Sequence, residues 1–283
     1  MPRSVAFVTV SKGRLHHLRH TLPLLAAQAP DELVVVDYGC PDRTADWVLA
    51  HVPSARALCV EDDPGFCLPR ARNLGAAATQ AEWLCFIDAD VGVQPGFVDW
   101  LRAAAHPACF FRAARVNGER DLETWGTFAC SRRDFERLGG YDETFRGWGG
   151  EDADLYRRLA FSGRSEASYP AHFVAPIRHA DDERTRFHAV KSRELQALIN
   201  ETYSAMKYQL MTAQKMLHQP TPEVRQAIMR HVTAELTEWD RKGRRDAPRF
   251  RLKGAAGSWM PPPYRLEVEI EVRCSVVRDD ATG

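Results

Sequence analysis

The chain has 283 residues, of which 45% are hydrophobic and 27% are charged, as is typical of a soluble globular protein. Its 38 lysines and arginines equal its 38 aspartates and glutamates, so no overall electrostatic field attracts nucleic acid or an anionic membrane. The seven cysteines form no CxxC pair, which argues against a disulfide framework or a zinc knuckle and predicts a reducing, cytoplasmic location.

Hydrophobic runs are short throughout the chain. The N-terminal run at residues 5–10 is too short for the core of a signal peptide or for a membrane span, and no later run is longer than a buried strand or helix needs. The sequence therefore predicts no transmembrane segment. It leaves open a loose attachment to a membrane surface at which a lipid-linked substrate is held.

The first part of the chain alternates apolar runs typical of buried strands with segments of helical period. We predict strands at residues 4–10, 32–37, 55–60 and 82–88, and helices at residues 16–28, 44–52 and 70–80. Apolar strands separated by helices indicate an α/β fold with a doubly wound, mostly parallel sheet. Such sheets bind ligands beyond the carboxyl ends of their strands, where Ser11, Asp37 and Asp88 are expected to lie.

The second part of the chain has a less regular pattern. We predict strands at residues 108–116 and 172–179, a short helix closed by glycine at 132–140, and longer helices at 190–217 and 222–240. A basic run at residues 241–253 follows, and the alternating residues before Cys274 predict a C-terminal strand.

The tripeptide Asp-Ala-Asp occurs twice, at residues 88–90 and 152–154. The first copy follows a predicted strand, and in an extended chain residues two apart point to the same side. Asp88 and Asp90 can therefore hold one Mg²⁺ or Mn²⁺ ion that bridges to the phosphates of a nucleotide. A solvated acidic turn is the alternative explanation, because such patterns also occur by chance.

The second copy lies at the predicted start of a helix, in GWGGEDADL. Residues two apart on a helix do not face one another, so one of Asp152 and Asp154 must act alone. Acidic residues are also common in first turns without any catalytic role, because the helix dipole stabilises them there. The preceding residues 147–150 combine glycines with a ring suited to packing on a sugar, which indicates a carboxylate beneath a mobile aromatic lid.

Several segments follow one another in a characteristic order along the first 188 residues. They are VTVSKGRLHHL, VVVDYGCPDRTADW, RARNLG, IDAD, RRDFERLGGYDETFRGWGGEDADLYRRL and IRHADDERTRF. In this order they resemble the inverting glycosyltransferases of the A fold, both the bacterial family-2 group and the β-1,4-galactosyltransferases. The resemblance implies an A-fold catalytic domain at residues 1–188, followed at residues 189–283 by a helical extension with a basic linker and a C-terminal strand.

The resemblance also implies catalytic and metal-binding roles for particular residues. Asp152 matches the base that takes the proton from the acceptor hydroxyl. Trp148 and Glu151 match acceptor-binding positions, Asp90 matches a metal ligand, and His179 matches a histidine metal ligand of the galactosyltransferases. An imidazole beside carboxylates favours Mn²⁺, with Mg²⁺ as the alternative.

Contacts to the nucleotide-sugar follow from the same resemblance. It assigns Asp37 to the base, usually uracil, Ser11 and Arg14 to the loop beside the uridine, Arg72 to the donor pocket, and Asp88 to the ribose or the metal. For each arginine, a surface charge paired with a neighbour is the alternative. Because the second strand ends in DYGC and not in the DDGS common in family 2, the recognised base is left open.

The implied reaction moves a hexose-type sugar from a UDP-sugar to a hydroxyl of a saccharide or glycoconjugate, with inversion and with no nucleic acid partner. A retaining GalNAc-transferase-like enzyme is an alternative, although such enzymes typically lack the aspartate after the glutamate. A sugar nucleotidyltransferase requires a glycine-rich loop where SKGRLHH has one glycine. A non-catalytic glycan-binding or assembly module would use the basic run at residues 241–253 as a docking patch, a run that is also typical of a solvated linker.

Overall fold

The computed structural model describes residues 3–63, 65–180, 182–214, 216, 218–245, 248–255 and 267–274, which form two compact units. The first unit comprises the described residues of Met1–Arg146 and Glu151–His188. The second comprises Gly147–Gly150 and the described residues of Ala189–Gly283. The sequence predicts a division of the chain at residue 188. In the structure the loop Gly147–Gly150 also groups with the C-terminal residues, which the sequence did not indicate.

Strands of the first unit form one large and one small sheet. They are β1 (Val5–Ser11), β2 (Glu32–Asp37), β3 (Arg56–Cys59), β4 (Trp83–Phe86), β5 (Val91–Val93), β6 (Cys109–Ala113), β7 (Phe128–Ser131), β8 (Ser165–Tyr169) and β9 (Val174–Pro176). The large sheet has the order β3-β2-β1-β4-β7-β6-β8, in which β7 runs antiparallel to both neighbours and the other pairs are parallel. Strands β5 and β9 pair with each other in antiparallel orientation.

Helices of the first unit connect these strands. They are α1 (Leu15–Ala27), α2 (Thr44–His51), α3 (Leu68–Ala77), α4 (Phe97–Ala104), α5 (Arg132–Arg137), α6 (Glu151–Phe161) and α7 (Asp182–Thr185). Strand β1 is buried along its whole length, and its residues alternate between two apolar clusters, with Phe7 in one and Val8 in the other. This burial on both faces explains why the strand is apolar throughout.

The predicted fold class, a doubly wound and mostly parallel α/β sheet, is confirmed. All four strands expected before residue 89 are present, while β5, β7 and β8 were not predicted. The strand predicted at residues 172–179 is shorter, because a 3₁₀ turn occupies residues 171–173 and only Val174–Pro176 pairs in a sheet.

Two helices and a hairpin make up most of the second unit. Helices α8 (Arg193–Ala213) and α9 (Pro222–Arg241) match the two helices predicted there, and strands β10 (Arg249–Ala255) and β11 (Glu267–Arg273) pair in antiparallel orientation. Part of the predicted basic linker is therefore a strand, and residues 246 and 247 of that run lie outside the described residues. No helix in the described part of the chain is both long enough and apolar enough to cross a bilayer.

Candidate active site

A buried arginine of α3 joins the two Asp-Ala-Asp triplets. Arg72 is 2% exposed. Its Nη2 donates to Oδ1 of Asp88, just beyond β4, and its Nη1 donates to Oδ1 of Asp152, in the first turn of α6, both at 2.6 Å. Oε1 of Glu151 lies 3.8 Å from the same Nη1. One guanidinium thus gathers three carboxylates that the chain supplies from a strand end and a helix start.

The second triplet divides its aspartates between two roles. Asp154 is fully buried, and its Oδ2 accepts a hydrogen bond at 2.8 Å from Nε of Arg158, one turn further along α6. Arg158 also donates to the backbone oxygens of Leu138 and Gly140, so the Asp154 pair fastens α6 to the preceding turn. Only Asp152 faces Arg72, as helical geometry requires for residues two apart.

Burial alters the protonation of two carboxyl groups in this cluster. Loss of solvent, followed by repulsion from Asp152, raises the pKa of Glu151 to about 8. Loss of solvent also raises the pKa of Asp88 to about 6, although the positive charge of Arg72 opposes the rise. Burial therefore favours the protonated form of Glu151, and the cluster contains more carboxyl groups than its one arginine can balance.

Gly126, just before β7, forms part of the wall of this cluster and was not identified from the sequence. A Cβ atom built there would lie 2.6 Å from Nη2 of Arg72, 2.7 Å from Oδ2 of Asp88 and 3.0 Å from Oδ2 of Asp152. Any side chain at this position would displace the charged groups. The signal that could have revealed Gly126 is a glycine two residues before a strand, since glycine can mark a place where other groups approach the backbone closely.

Asp90 and His179 form a second pair at the same edge of the sheet. Oδ2 of Asp90 accepts a hydrogen bond from Nε2 of His179 at 2.6 Å. The register of β5 and β9 pairs Val91 with Pro176, and the backbone N–H of Ile177 donates to the backbone carbonyl oxygen of Asp90 at 2.7 Å. This pairing returns the chain after β9 to the Asp88–Asp90 turn and brings the histidine to the carboxylate.

The donor set of this pair fits a divalent ion such as Mn²⁺. A carboxylate oxygen and an imidazole nitrogen already lie within contact of each other, and Mn²⁺ accepts both ligand types. The surplus of carboxylates around Arg72 further favours a cation nearby. Asp88 takes Arg72 as its partner, whereas Asp90 takes His179, so the two aspartates of the first triplet have separate partners here.

Arg14 lies between Asp90–His179 and a cluster on α1 and α7. Its Nη1 is 3.2 Å from Nε2 of His179 and donates to Oε2 of Glu183 at 2.7 Å. Nε2 of His17 and of His16 lie 3.2 and 3.4 Å from the same oxygen. Within the part of the chain that the structure describes, this His-His-Glu group has the spacing of metal ligands, although Arg14 already neutralises its carboxylate.

The pKa shifts of His17 and Glu183 reflect the charges around Glu183. Burial, together with repulsion from His16 and Arg14, lowers the pKa of His17 in spite of its hydrogen bond to Glu183. Burial acts to raise the pKa of Glu183, but its hydrogen bond to His17 and the charge of Arg14 outweigh burial and lower the pKa. The pair of adjacent histidines in SKGRLHHL is the sequence signal for this cluster.

Ser11 and Asp37 stabilise the strand ends with their side chains. Asp37 accepts backbone N–H bonds from Cys40 at 2.7 Å and from Ala45 at 2.8 Å, which closes the turn after β2 and caps the start of α2. Oγ of Ser11 is fully buried, 3.1 Å from Oγ1 of Thr44. The structure therefore does not bring these two side chains to the Arg72 cluster.

The unusual DYGC ending of β2 also has a structural explanation. Sγ of Cys40 accepts the backbone N–H of Gly13 at 3.0 Å and the hydroxyl of Thr44 at 3.1 Å. The cysteine, which stands at the position of the serine in DDGS, thus links the loop after β1 to the residues after β2. Trp148, the remaining predicted site residue, belongs to the second unit.

Comparisons with known proteins identify the fold and the relatives of this chain. A computed superposition with the mannosyltransferase PcManGT from Pyrobaculum calidifontis, solved in complex with GDP-Man and Mn²⁺, gives a TM-score of 0.54 at 18% identity and covers 83% of this chain and 70% of that one. This chain has the glycosyltransferase A fold. Residues 105–180 also match the family model for the N-terminal domain of galactosyltransferase, a segment that contains Gly126, Asp152 and His179.

Curated relatives of the A-fold chain include two kinds of sugar transferase. Validoxylamine A glucosyltransferase of Streptomyces hygroscopicus subsp. limoneus is 30% identical, over 56% of this chain and 48% of the relative. Beta-1,4-galactosyltransferase 1 of Bos taurus is 30% identical, over 76% of this chain and 52% of the relative. The chain spans about half the length of these relatives, and the predicted relationship to A-fold glycosyltransferases is confirmed.

Proposed function

We propose that this chain transfers a hexose-type sugar from a UDP-sugar to a hydroxyl of a saccharide or glycoconjugate, with inversion and with a divalent metal ion. The observation that carries the proposal is the bridge formed by Arg72 between Asp88 and Asp152. It places a carboxylate suited to proton transfer beside the strand end that holds nucleotide phosphates in doubly wound sheets. Two relatives named as sugar transferases, and a mannosyltransferase of the same fold solved with GDP-Man and Mn²⁺, support this assignment.

Asp152 is the residue that we assign as general base. Its Oδ1 accepts hydrogen bonds from Arg72 at 2.6 Å and from the Tyr141 hydroxyl at 3.2 Å, which fixes the carboxylate plane. Oδ2, which faces Gly126, is then the oxygen that takes the proton from the acceptor hydroxyl as that hydroxyl attacks the anomeric carbon. General-base assistance of this kind typically contributes about 10²- to 10⁴-fold.

Asp90 and His179 are the residues that would hold the metal. When bound there, Mn²⁺ would neutralise charge that develops on the departing diphosphate. Arg14, whose Nη1 lies 3.2 Å from His179, supplies a second positive charge at this side of the site. We assign Ser11 and Asp37 to the nucleotide pocket through the loops that they shape, because their side chains are committed to Thr44, Cys40 and Ala45.

Glu151 and Trp148 are the residues that we assign to the acceptor. With a pKa of about 8, Glu151 is protonated at neutral pH and can donate a hydrogen bond to an acceptor oxygen. Trp148 offers an aromatic ring, the kind of surface on which a sugar ring packs. A saccharide or a sugar-bearing conjugate has the hydroxyl oxygens and the ring faces that groups of these two kinds bind.

Calorimetric titration of UDP, GDP, ADP and dTDP, with and without Mn²⁺, tests the donor site. We expect UDP to bind selectively and in a metal-dependent manner to the wild type, and Asp90→Ala to weaken that binding at least about tenfold. Asp99→Ala, at an aspartate whose side chain is 86% exposed, is the matched control and should bind like the wild type. If no nucleotide binds, the enzyme assignment is wrong and a glycan-binding or assembly module becomes the better hypothesis.

Product analysis tests the chemistry. With α-linked UDP-glucose or UDP-galactose as donor and a panel of saccharide acceptors, NMR of the product should show a β-linkage, whereas an α-linkage would establish a retaining enzyme. Asp152→Asn should reduce kcat about 10²- to 10⁴-fold and leave UDP binding unchanged. The exposed variant Asp46→Asn serves as the control for a general effect of charge removal.

A further inference from the structure

One face of α8 holds the loop Gly147–Gly150 within the second unit. Asn200, on that helix, donates from Nδ2 to the backbone oxygens of Trp148 at 3.2 Å and of Gly149 at 2.5 Å. Cζ of Arg193 lies 4.0 Å from the centre of the Trp148 ring, at the distance of a cation–π contact. Arg193 and Asn200 are seven residues apart, so they lie on the same face of the helix.

Gly147 shows that the loop is fitted to this helix. Its φ of +83° is in the left-handed region that side chains rarely adopt, and a Cβ built there would lie 2.1 Å from Oε1 of Gln196. Gln196 follows Arg193 by three residues and so completes the same helical face. The backbone of the loop can approach α8 this closely only because the residue is glycine.

The side-chain amide of Asn200 is buried and is used to bind the loop. The residue is 1% exposed, and both partners of Nδ2 are carbonyl oxygens, so the orientation of the amide is determined by its contacts. Its Oδ1 is buried without a hydrogen-bond partner among the described residues. A buried, unpaired carbonyl costs folding free energy that an apolar side chain of similar size would avoid.

We propose that Asn200 is a positioning residue that fixes the backbone of Gly147–Gly150 and, through it, the start of α6. Gly150 is followed directly in the chain by Glu151 and Asp152, so the path of the loop determines how the chain enters the first turn of that helix. The C-terminal extension thereby acquires a role, which is to anchor the backbone of the loop Gly147–Gly150. The consequence for catalysis rests on the proposed function, whereas the anchoring of the loop does not.

Fluorine NMR of protein labelled with 5-fluorotryptophan tests the anchoring without any substrate. The Trp148 resonance is assigned by its loss in Trp148→Phe. Asn200→Asp keeps the side-chain shape and removes the N–H donors, so we expect the resonance to shift and broaden. Ser204→Ala, one turn further along α8 and equally buried, is the matched control and should leave it unchanged. An unchanged Trp148 resonance in Asn200→Asp would overturn the anchoring.

Steady-state kinetics and thermal unfolding test the positioning role. For Asn200→Leu we expect cooperative thermal unfolding at a lowered temperature, because two loop carbonyls lose their donor, while kcat/KM for the acceptor falls about tenfold or more and KM for the UDP-sugar is unchanged. A variant with altered loop resonance and wild-type kinetics would refute positioning. If the wild type transfers no sugar while the resonance still responds to Asn200→Asp, the proposed function fails and the anchoring is retained.

Discussion

Removing the carboxyl group of Glu151 should change how stability depends on pH. The pKa of this group is raised to about 8, first by burial and then by the charge of Asp152. Because the folded protein binds the proton more tightly than the unfolded chain, stability is lost as pH rises from about 4.5 through 8. The difference between the pKa of Glu151 in the unfolded and in the folded chain corresponds to at most about 5 kcal/mol of unfolding free energy, since one pKa unit equals about 1.4 kcal/mol. The neighbouring carboxyl groups titrate together with Glu151, which reduces the effect. We therefore expect the free energy of unfolding to fall by about 2 kcal/mol between pH 6 and pH 9.

Urea unfolding of the wild type and of Glu151→Gln at pH 6, 7, 8 and 9 measures this effect. A chelator should be present throughout, because a bound cation would lower the pKa of nearby carboxyl groups. The variant lacks the titrating group, so its advantage over the wild type should grow with pH across this range. Glu61→Gln, at an exposed glutamate, should follow the wild type in parallel. If Glu151→Gln also runs parallel to the wild type, the buried, protonated state of Glu151 is refuted.

Two further substitutions test the close packing of Gly126 against the charged groups and the proposed role of His179 as a metal ligand. Gly126→Ala adds a carbon 2.6 Å from Nη2 of Arg72 and 2.7 Å from Oδ2 of Asp88, so sugar transfer should fall about 10²-fold or more in initial-rate assays. Gly92→Ala, where the added carbon meets a flexible leucine methyl at 3.0 Å, should remain active, and equal activity of the two variants would contradict the assigned wall. His179→Ala should abolish the Mn²⁺-dependent part of UDP binding in calorimetry, and an unaltered metal response would remove His179 from the ligand set.

Three of the predicted strands are buried on both faces. Strands β1, β2 and β4 are continuous apolar runs, because helices cover both sides of the sheet at those positions. Strand β8 has the sequence SEASY, is mostly exposed, and lies at the edge of the sheet, where no apolar pattern is required. Strand β5 is three residues long and contains a glycine, so its existence depends on pairing with β9.

The order of motifs named most of the residues that meet in the candidate site, but not the contacts between them. Asp88, Asp152 and Arg72 were each named from the sequence, yet only the fold shows that the arginine lies between the two aspartates. A single sequence has no signal for such a contact, since the three residues come from α3, the end of β4 and the start of α6. Gly126 was missed for the same reason, because its importance comes from what surrounds it.

The loop Gly147–Gly150 shows how residues outside a motif can control it. The loop falls within the segment that matches the galactosyltransferase family model, residues 105–180, whereas Arg193, Gln196 and Asn200 lie beyond that segment. The glycines allow many backbone paths, so the motif alone does not determine the conformation of the loop. Contacts from α8 select one path, at the cost of a buried amide whose Oδ1 has no hydrogen-bond partner in the part of the chain that the structure describes. A change in the extension can therefore alter the loop Gly147–Gly150 and leave every residue of the motif intact.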